Sequence, residues 1–190
     1  MIRLLVSVKN VQEALDAIAA GADFIDLKDP SQGALGSLDN ALCEQIVLVV
    51  NQRAMVSATI GDTHVDTQTV LDLIEEKWAL GVDIVKLPWS LFFNDKHFLY
   101  ALGEMLREKK MKLIAVINAE HPVNLSWISL LAETGFYGVM LDTVYKGHHL
   151  LSLMDIPMIN AFIMHCKKHD LQAGVAGALR AEHLPELMPM

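Results

Sequence analysis

Short apolar runs and helix-forming stretches take turns along almost the whole chain, and this alternation constrains the fold more than any single residue does. RLLVSV (3–8) is rich in β-formers, and VQEALDAIAAG (11–21) follows with apolar residues at 11, 14, 15 and 18 and a closing glycine. The beat repeats. FIDLKD (24–29), MVSATIG (55–61), DIVKLPW (83–89), LIAVINAE (113–120), YGVMLDTV (137–144) and QAGVAGAL (172–179) read as strands. Helices are predicted over 38–51, 69–81, 95–110, 124–135 and 153–169, and RAEHLPELMPM begins a seventh as the sequence ends. Strand and helix units of this length mean parallel strands joined by helical crossovers, because parallel neighbours need a long connection. An open nucleotide-binding sheet would put a glycine-rich turn after its first strand; here that turn is SVKNVQ, without glycine. The expectation is therefore an α/β chain of the TIM (β/α)8 barrel type, one domain over 1–190, lacking the eighth βα unit.

Composition narrows the partners. A chain 53% hydrophobic and 20% charged has enough apolar surface for a packed core and is not a disordered one. A formal charge of −8 provides no basic field for a nucleic-acid backbone. MIRLLVSVKN is too short an apolar run for a signal peptide, and no run of 18 apolar residues occurs, so a cytoplasmic location without membrane contact is expected. Cys43 and Cys166 lie in predicted helices with no second cysteine nearby, which fits buried small hydrophobes rather than a disulfide or zinc site. His64, His121, His148 and His149 are scattered through loops, so no metal is expected. Methionines concentrate in LMDIPMINAFIMHC and HLPELMPM, at helical spacing that fits core filling.

The charges inside the strands are the functional signal. In DFIDLKDP, Asp26 and Lys28 are two apart and so share a strand face with Phe24, leaving Ile25 and Leu27 for the opposite face. Lys86 sits in DIVKLPW, and Asp142 ends a strand with Lys146 just beyond. All five fall toward the C-terminal ends of the second, fourth and sixth strands, where barrel enzymes collect their chemistry and where even-numbered strands share interior layers. Each has an ordinary explanation when taken alone: lysines at strand ends are usually solvated, and an aspartate there can cap the following turn. Together they describe a reaction centre. An amine among apolar walls and beside another cation loses its proton more easily and can attack a carbonyl to form a Schiff base. A neighbouring carboxylate can move protons, and further ammonium groups can hold phosphate or an oxyanion.

Through LLVSV, GADFIDLKDPSQGALG, MVSATIGD, GVDIVKLPW, GVMLDTVYKG and AGALRAEHLPEL, nearly the whole chain resembles the (5-formylfuran-3-yl)methyl phosphate synthase family. The resemblance implies a lyase that joins two molecules of glyceraldehyde 3-phosphate and eliminates phosphate and water, leaving a furan aldehyde phosphate for methanofuran-type cofactors. It also implies a barrel similar to class I aldolases, with Lys28 as Schiff-base lysine, Asp26 its acid or base, Lys86 a second amine, and Asp142 with Lys146 for proton transfer and phosphate binding. No cofactor or metal is implied, since the lysine imine is the electron sink. In the family the chain runs on into an eighth strand and a glycine-rich, phosphate-binding stretch, whereas this sequence stops at Met190. Gly174 and Gly177 are then expected to offer backbone N–H groups to the phosphate, and a second copy of the chain or a rearranged terminus to cover the edges of the first and seventh strands. Two alternatives stand beside the synthase: a class I aldolase acting on another phosphorylated sugar, and a barrel that binds a phosphometabolite without turning it over.

Overall fold

The structure, a computed structural model, describes residues 2–62, 66–92, 94–145 and 147–188. Among the described residues there are seven strands: β1 (Leu5–Val8), β2 (Phe24–Leu27), β3 (Met55–Thr59), β4 (Ile84–Pro88), β5 (Leu113–Asn118), β6 (Gly138–Asp142) and β7 (Gln172–Val175). Between and after them run α1 (Val11–Ala19), α2 (Asn40–Val50), α3 (Thr67–Ala79), α4 (Lys96–Lys109), α5 (Ser126–Thr134), α6 (Leu150–Leu153), α7 (Ile156–Lys168) and α8 (Leu184–Leu187). The strands form one sheet in the order β1-β2-β3-β4-β5-β6-β7. A doubly wound sheet reverses its order at a switch point, so an unbroken sequential order of parallel strands is barrel topology, here with seven βα units. Every predicted strand is found, trimmed at its ends. The chain falls into two compact units, Met1–Leu87 and Pro88–Met190.

Helix starts are written in the sequence. Asn10, Asp39, Asp66, Asp95 and Asp155 stand at the N-caps of α1, α2, α3, α4 and α7, and each side chain accepts the amide three residues on. The starts of two strands use aspartate differently. In the repeated Gly-x-Asp of GAD (21–23) and GVD (81–83), Asp23 accepts the Leu4 amide and Asp83 the Val56 amide, each at 2.7 Å. Every such bond ties the entry of one strand to that of its neighbour.

In the first unit, Ile25 and Leu27 pack with Ala14, Ala17, Cys43 and Ile46 of α1 and α2. The strand face opposite Asp26 is thus the one the helices cover, as alternation requires. β2 and β4 are buried along their whole length, on both faces. The second unit centres on aromatic rings: Phe92 lies 5.3 Å from Trp89, 4.9 Å from Phe98 and 6.2 Å from Phe136, centroid to centroid. Both cysteines are free and buried, and burial pushes the Cys166 thiol up to about 12.

Three features differ from the reading of the sequence. The helix predicted over 153–169 starts later, at Ile156, where Asp155 caps it and Pro157 occupies its first turn, and a separate short α6, Leu150–Leu153, precedes it where no helix was expected. The last predicted helix is a 3-10 turn, Ala181–His183, running into the single turn α8. The late methionines are not all core: α7 buries Ile159, Phe162 and Cys166, and Met158 and Met164 fall off that stripe and are exposed. Among the described residues, no helix is long and apolar enough to cross a membrane.

Candidate active site

The first unit builds its polar centre from strand register. β2 is paired on both sides, so that Ser7, Asp26 and Ser57 lie in one row across β1, β2 and β3, while Thr59 pairs with Lys86 on the far side of β3. Asp26 is wholly buried and Lys86 is 1% exposed. The Lys86 Nζ donates to Asp26 Oδ2 at 2.8 Å, the Ser7 hydroxyl donates to the same oxygen at 3.0 Å, and the Ser57 hydroxyl donates to Oδ1 at 2.6 Å. Burial alone would push this carboxyl up; the charge and hydrogen bond of Lys86, the Ser57 hydroxyl and the charge of Lys28 together hold it below the ordinary 3.8. Asp26 is thus an anion, fixed by donors on both oxygens.

Lys28 comes one residue after β2. Its amide extends the ladder by donating to Val8 O at 3.3 Å, and its side chain is half-buried. The loop beyond it is heavily constrained. Asp29 donates its amide to Gly36 O, and Thr59 Oγ1 donates to the same carbonyl at 2.8 Å. The Asp62 carboxylate accepts the Leu35 amide with both oxygens at 3.2 Å. Lys77 of α3, 1% exposed, donates to Leu38 O and to Asn40 Oδ1 at 2.6 Å each, locking the entry to α2. A cavity of about 700 Å³ opens at the other end of the strands, beside Asp23, Arg53 and Asp83. Those three side chains are already bonded to backbone groups, which fits structural rather than chemical duty.

In the second unit, Asp142 ends β6 opposite Asn118 and is 8% exposed. Its Oδ1 accepts the amide of the very next residue, Thr143, at 2.8 Å. Lys146 lies outside the described residues, as does His64. Gly174 pairs with Met140 in the β6–β7 ladder, and a Cβ there would come within 2.7 Å of the Met140 methyl. Gly177 has φ of +113°, and a Cβ on it would meet Thr143 at 2.6 Å. Each glycine therefore has a packing reason to lack a side chain.

The structure thus gathers Asp26, Lys28 and Lys86 in one unit and places Asp142, Gly174 and Gly177 in the other. Ser7, Ser57 and Lys77 escaped the sequence reading. Two serines in apolar strands become visible only when register sets them beside Asp26, and a lysine in EEKWALG looks like any solvated helix charge. Among the described residues, no group of three or more His, Cys, Asp or Glu side chains is placed to hold a metal ion.

Comparison with known proteins bears on what such a centre is for. The 4-HFC-P synthase family model matches residues 4–190. A protein of Methylorubrum extorquens, provisionally named as a (5-formylfuran-3-yl)methyl phosphate synthase, is 40% identical over 186 residues, covering 97% of this chain and 76% of its own. The (5-formylfuran-3-yl)methyl phosphate synthase of Methanothermobacter thermautotrophicus is 28% identical over 196 residues, covering 97% and 82%. Among solved structures, CutC of Streptococcus agalactiae, provisionally named as a copper homeostasis protein, superposes with a TM-score of 0.78 at 15% identity, over 100% of this chain and 94% of that one, a likeness of fold alone.

Proposed function

The chain belongs to the 4-HFC-P synthase family, and from that premise we propose that it condenses two molecules of glyceraldehyde 3-phosphate to (5-formylfuran-3-yl)methyl phosphate through an imine on Lys28. The observation that carries this reading is the sealed Asp26–Lys86 pair beside Lys28. A buried ion pair seldom stabilises a fold better than apolar residues of the same size, so its presence in a strand core calls for a chemical reason.

In the proposed reaction the Lys28 amine attacks the aldehyde carbon of one substrate, and loss of water leaves the imine. Withdrawal of the adjacent C–H proton gives an enamine, with the imine nitrogen taking the electron pair. The enamine expels phosphate from the next carbon, and that terminal carbon then bonds to the middle carbon of the second molecule, which has become a ketone by proton transfer between its first two carbons. Closure of the ring through the second molecule's terminal hydroxyl, with loss of two waters, gives the aromatic furan, and hydrolysis frees Lys28. Asp26, held as an anion by three donors, serves this scheme as a fixed counter-charge that keeps the Lys86 ammonium aimed and cationic for an oxyanion or phosphate. Asp142, at a strand end, is the better candidate to carry protons, with Lys146 as a further cation for phosphate. Gly174 and Gly177 are proposed to leave backbone N–H groups within reach of a phosphate.

The test uses glyceraldehyde 3-phosphate as sole substrate. Growth of a furan aldehyde absorbance in the near ultraviolet is expected from this protein and not from an aldolase for another sugar. Borohydride added with substrate should place covalent mass on the peptide containing Lys28. Lys28→Arg should fold normally and lose both signals, because a guanidinium stays protonated and cannot attack a carbonyl. Turnover in that variant would end the assignment.

A further inference from the structure

The short turn after β5 reaches both Asp142 and the segment that follows it. Asn118, the last residue of β5, pairs with Asp142 in register, and the next amide, of Ala119, donates to the Asp142 carbonyl at 2.9 Å. The Asn118 side chain accepts the Glu120 amide at 2.8 Å, which fixes where Glu120 stands. From there the Glu120 carboxylate reaches across to the segment after β6. Its Oε1 accepts the Val144 amide at 2.9 Å and the Tyr145 amide at 3.0 Å, and its Oε2 accepts the Val144 amide at 3.2 Å. With Thr143 donating to Asp142 itself, three consecutive amides, 143 to 145, are each held by a carboxylate.

These bonds hold a segment whose large side chains are not packed away. Val144 and Tyr145 expose their side chains, so apolar burial does not fix the chain there. Two successive N–H groups converging on one oxygen set the direction in which the backbone leaves β6, and through it the torsion of Asp142. We propose that Glu120 is a positioning residue for Asp142: it clamps the Val144 and Tyr145 amides and so holds the Asp142 carboxyl at the angle its proton transfer needs. This rests on the reading of Asp142 as the proton carrier. The role depends on reach more than on charge, since one oxygen accepts both amides.

Three variants separate reach from charge in the furan-forming assay. Glu120→Gln keeps an oxygen at the same distance and should retain kcat within about 3-fold of wild type. Glu120→Ala removes the clamp, and Glu120→Asp keeps the charge one methylene short. Both should lose about 10–100-fold in kcat with KM little changed, the range that a misplaced group costs. Borohydride trapping on the Lys28 peptide should remain at wild-type level in all three, because imine formation precedes the step assigned to Asp142. Wild-type kcat in Glu120→Ala overturns the proposal. So does the reverse ranking, Asp above Gln, which would make the charge the active feature; and so does loss of trapping in step with turnover, which would mark a general structural defect. If Glu120→Ala does not fold, the ranking of Gln against Asp decides alone. Asp142→Asn, assayed alongside, keeps the two readings apart. Wild-type turnover in that variant removes Asp142 from the mechanism and the clamp's purpose with it, whereas a slow Asp142→Asn beside a fast Glu120→Ala removes the clamp only.

Discussion

Lys86 and Asp26 are both sealed from water, so the attraction between them is offset by the cost of stripping each of its hydration. That balance makes the two single deletions and the double one behave very differently. Lys86→Met takes the ammonium partner from a buried carboxylate, leaving two hydroxyl donors and the charge of Lys28, and should destabilise the protein by about 3–5 kcal/mol. Asp26→Leu takes the anion away from a buried ammonium and should cost a similar amount. Replacing both, Asp26→Leu with Lys86→Met, removes the unpaired charge and should recover most of the loss, leaving the orphaned Ser7 and Ser57 hydroxyls as the residue of the penalty. Urea unfolding of the four proteins gives the coupling. If the double variant is as unstable as the sum of the singles, the pair is not the electrostatic unit that the 2.8 Å contact implies.

At the scale of elements, the loop between β2 and α2 matters most, because it leaves directly from Lys28. Gly33 in this loop adopts φ of 118° and ψ of 178°, a region that is open almost only to glycine. The Asp62 oxygen that accepts the Leu35 amide lies 2.2 Å from where a Gly33 Cβ would stand. Gly33→Ala should therefore cost about 1–3 kcal/mol from the backbone alone and also dislodge Asp62. Adding Asp62→Ala to Gly33→Ala should then change the thermal midpoint little, although Asp62→Ala by itself lowers it. Independent, additive effects would show that the loop is not held in this way. This loop also marks the limit of what the sequence makes legible. The strands could be read because β2 through β6 are long apolar runs bounded by glycine and helix caps, and parity alone put Asp26 and Lys28 on the face away from the helices. The partners that fix those residues cannot be read in that way. Ser7 and Ser57 meet Asp26 only through register, Lys77 is a buried amine disguised as a surface charge, and Asp62 and Glu120 act from the odd-numbered strands' loops on the loops of their even-numbered neighbours. Such contacts depend on tertiary placement and leave no periodic trace.

For the whole molecule, the buried pair and the helix caps combine to set the acid limit of stability. Three aspartates are held below the ordinary 3.8: Asp26 by Lys86 against the opposing effect of burial, Asp29 by the Ser31 hydroxyl and amide, and Asp66 by the Thr69 amide and hydroxyl. A group whose native value is depressed binds its proton less readily folded than unfolded. Its stabilising contribution is then complete above pH 3.8 and disappears as pH falls through the lower native value. Unfolding free energy should thus be flat with pH down to about 4 and fall below it. Asp29 is half-buried and Asp66 exposed, and their share is small and screened by salt. The steep part belongs to Asp26, which cannot take a proton without removing the buried negative charge that faces the Lys86 ammonium at 2.8 Å. Asp26→Leu with Lys86→Met should accordingly flatten the acid limb, while Asp66→Asn, which keeps a capping oxygen, should barely alter it. Thermal midpoints measured from pH 6 to pH 2.5 for the three proteins decide the matter: an acid limb in the double variant as steep as that of wild type would place the titrating group elsewhere and deny Asp26 its role as the anion around which the centre is built.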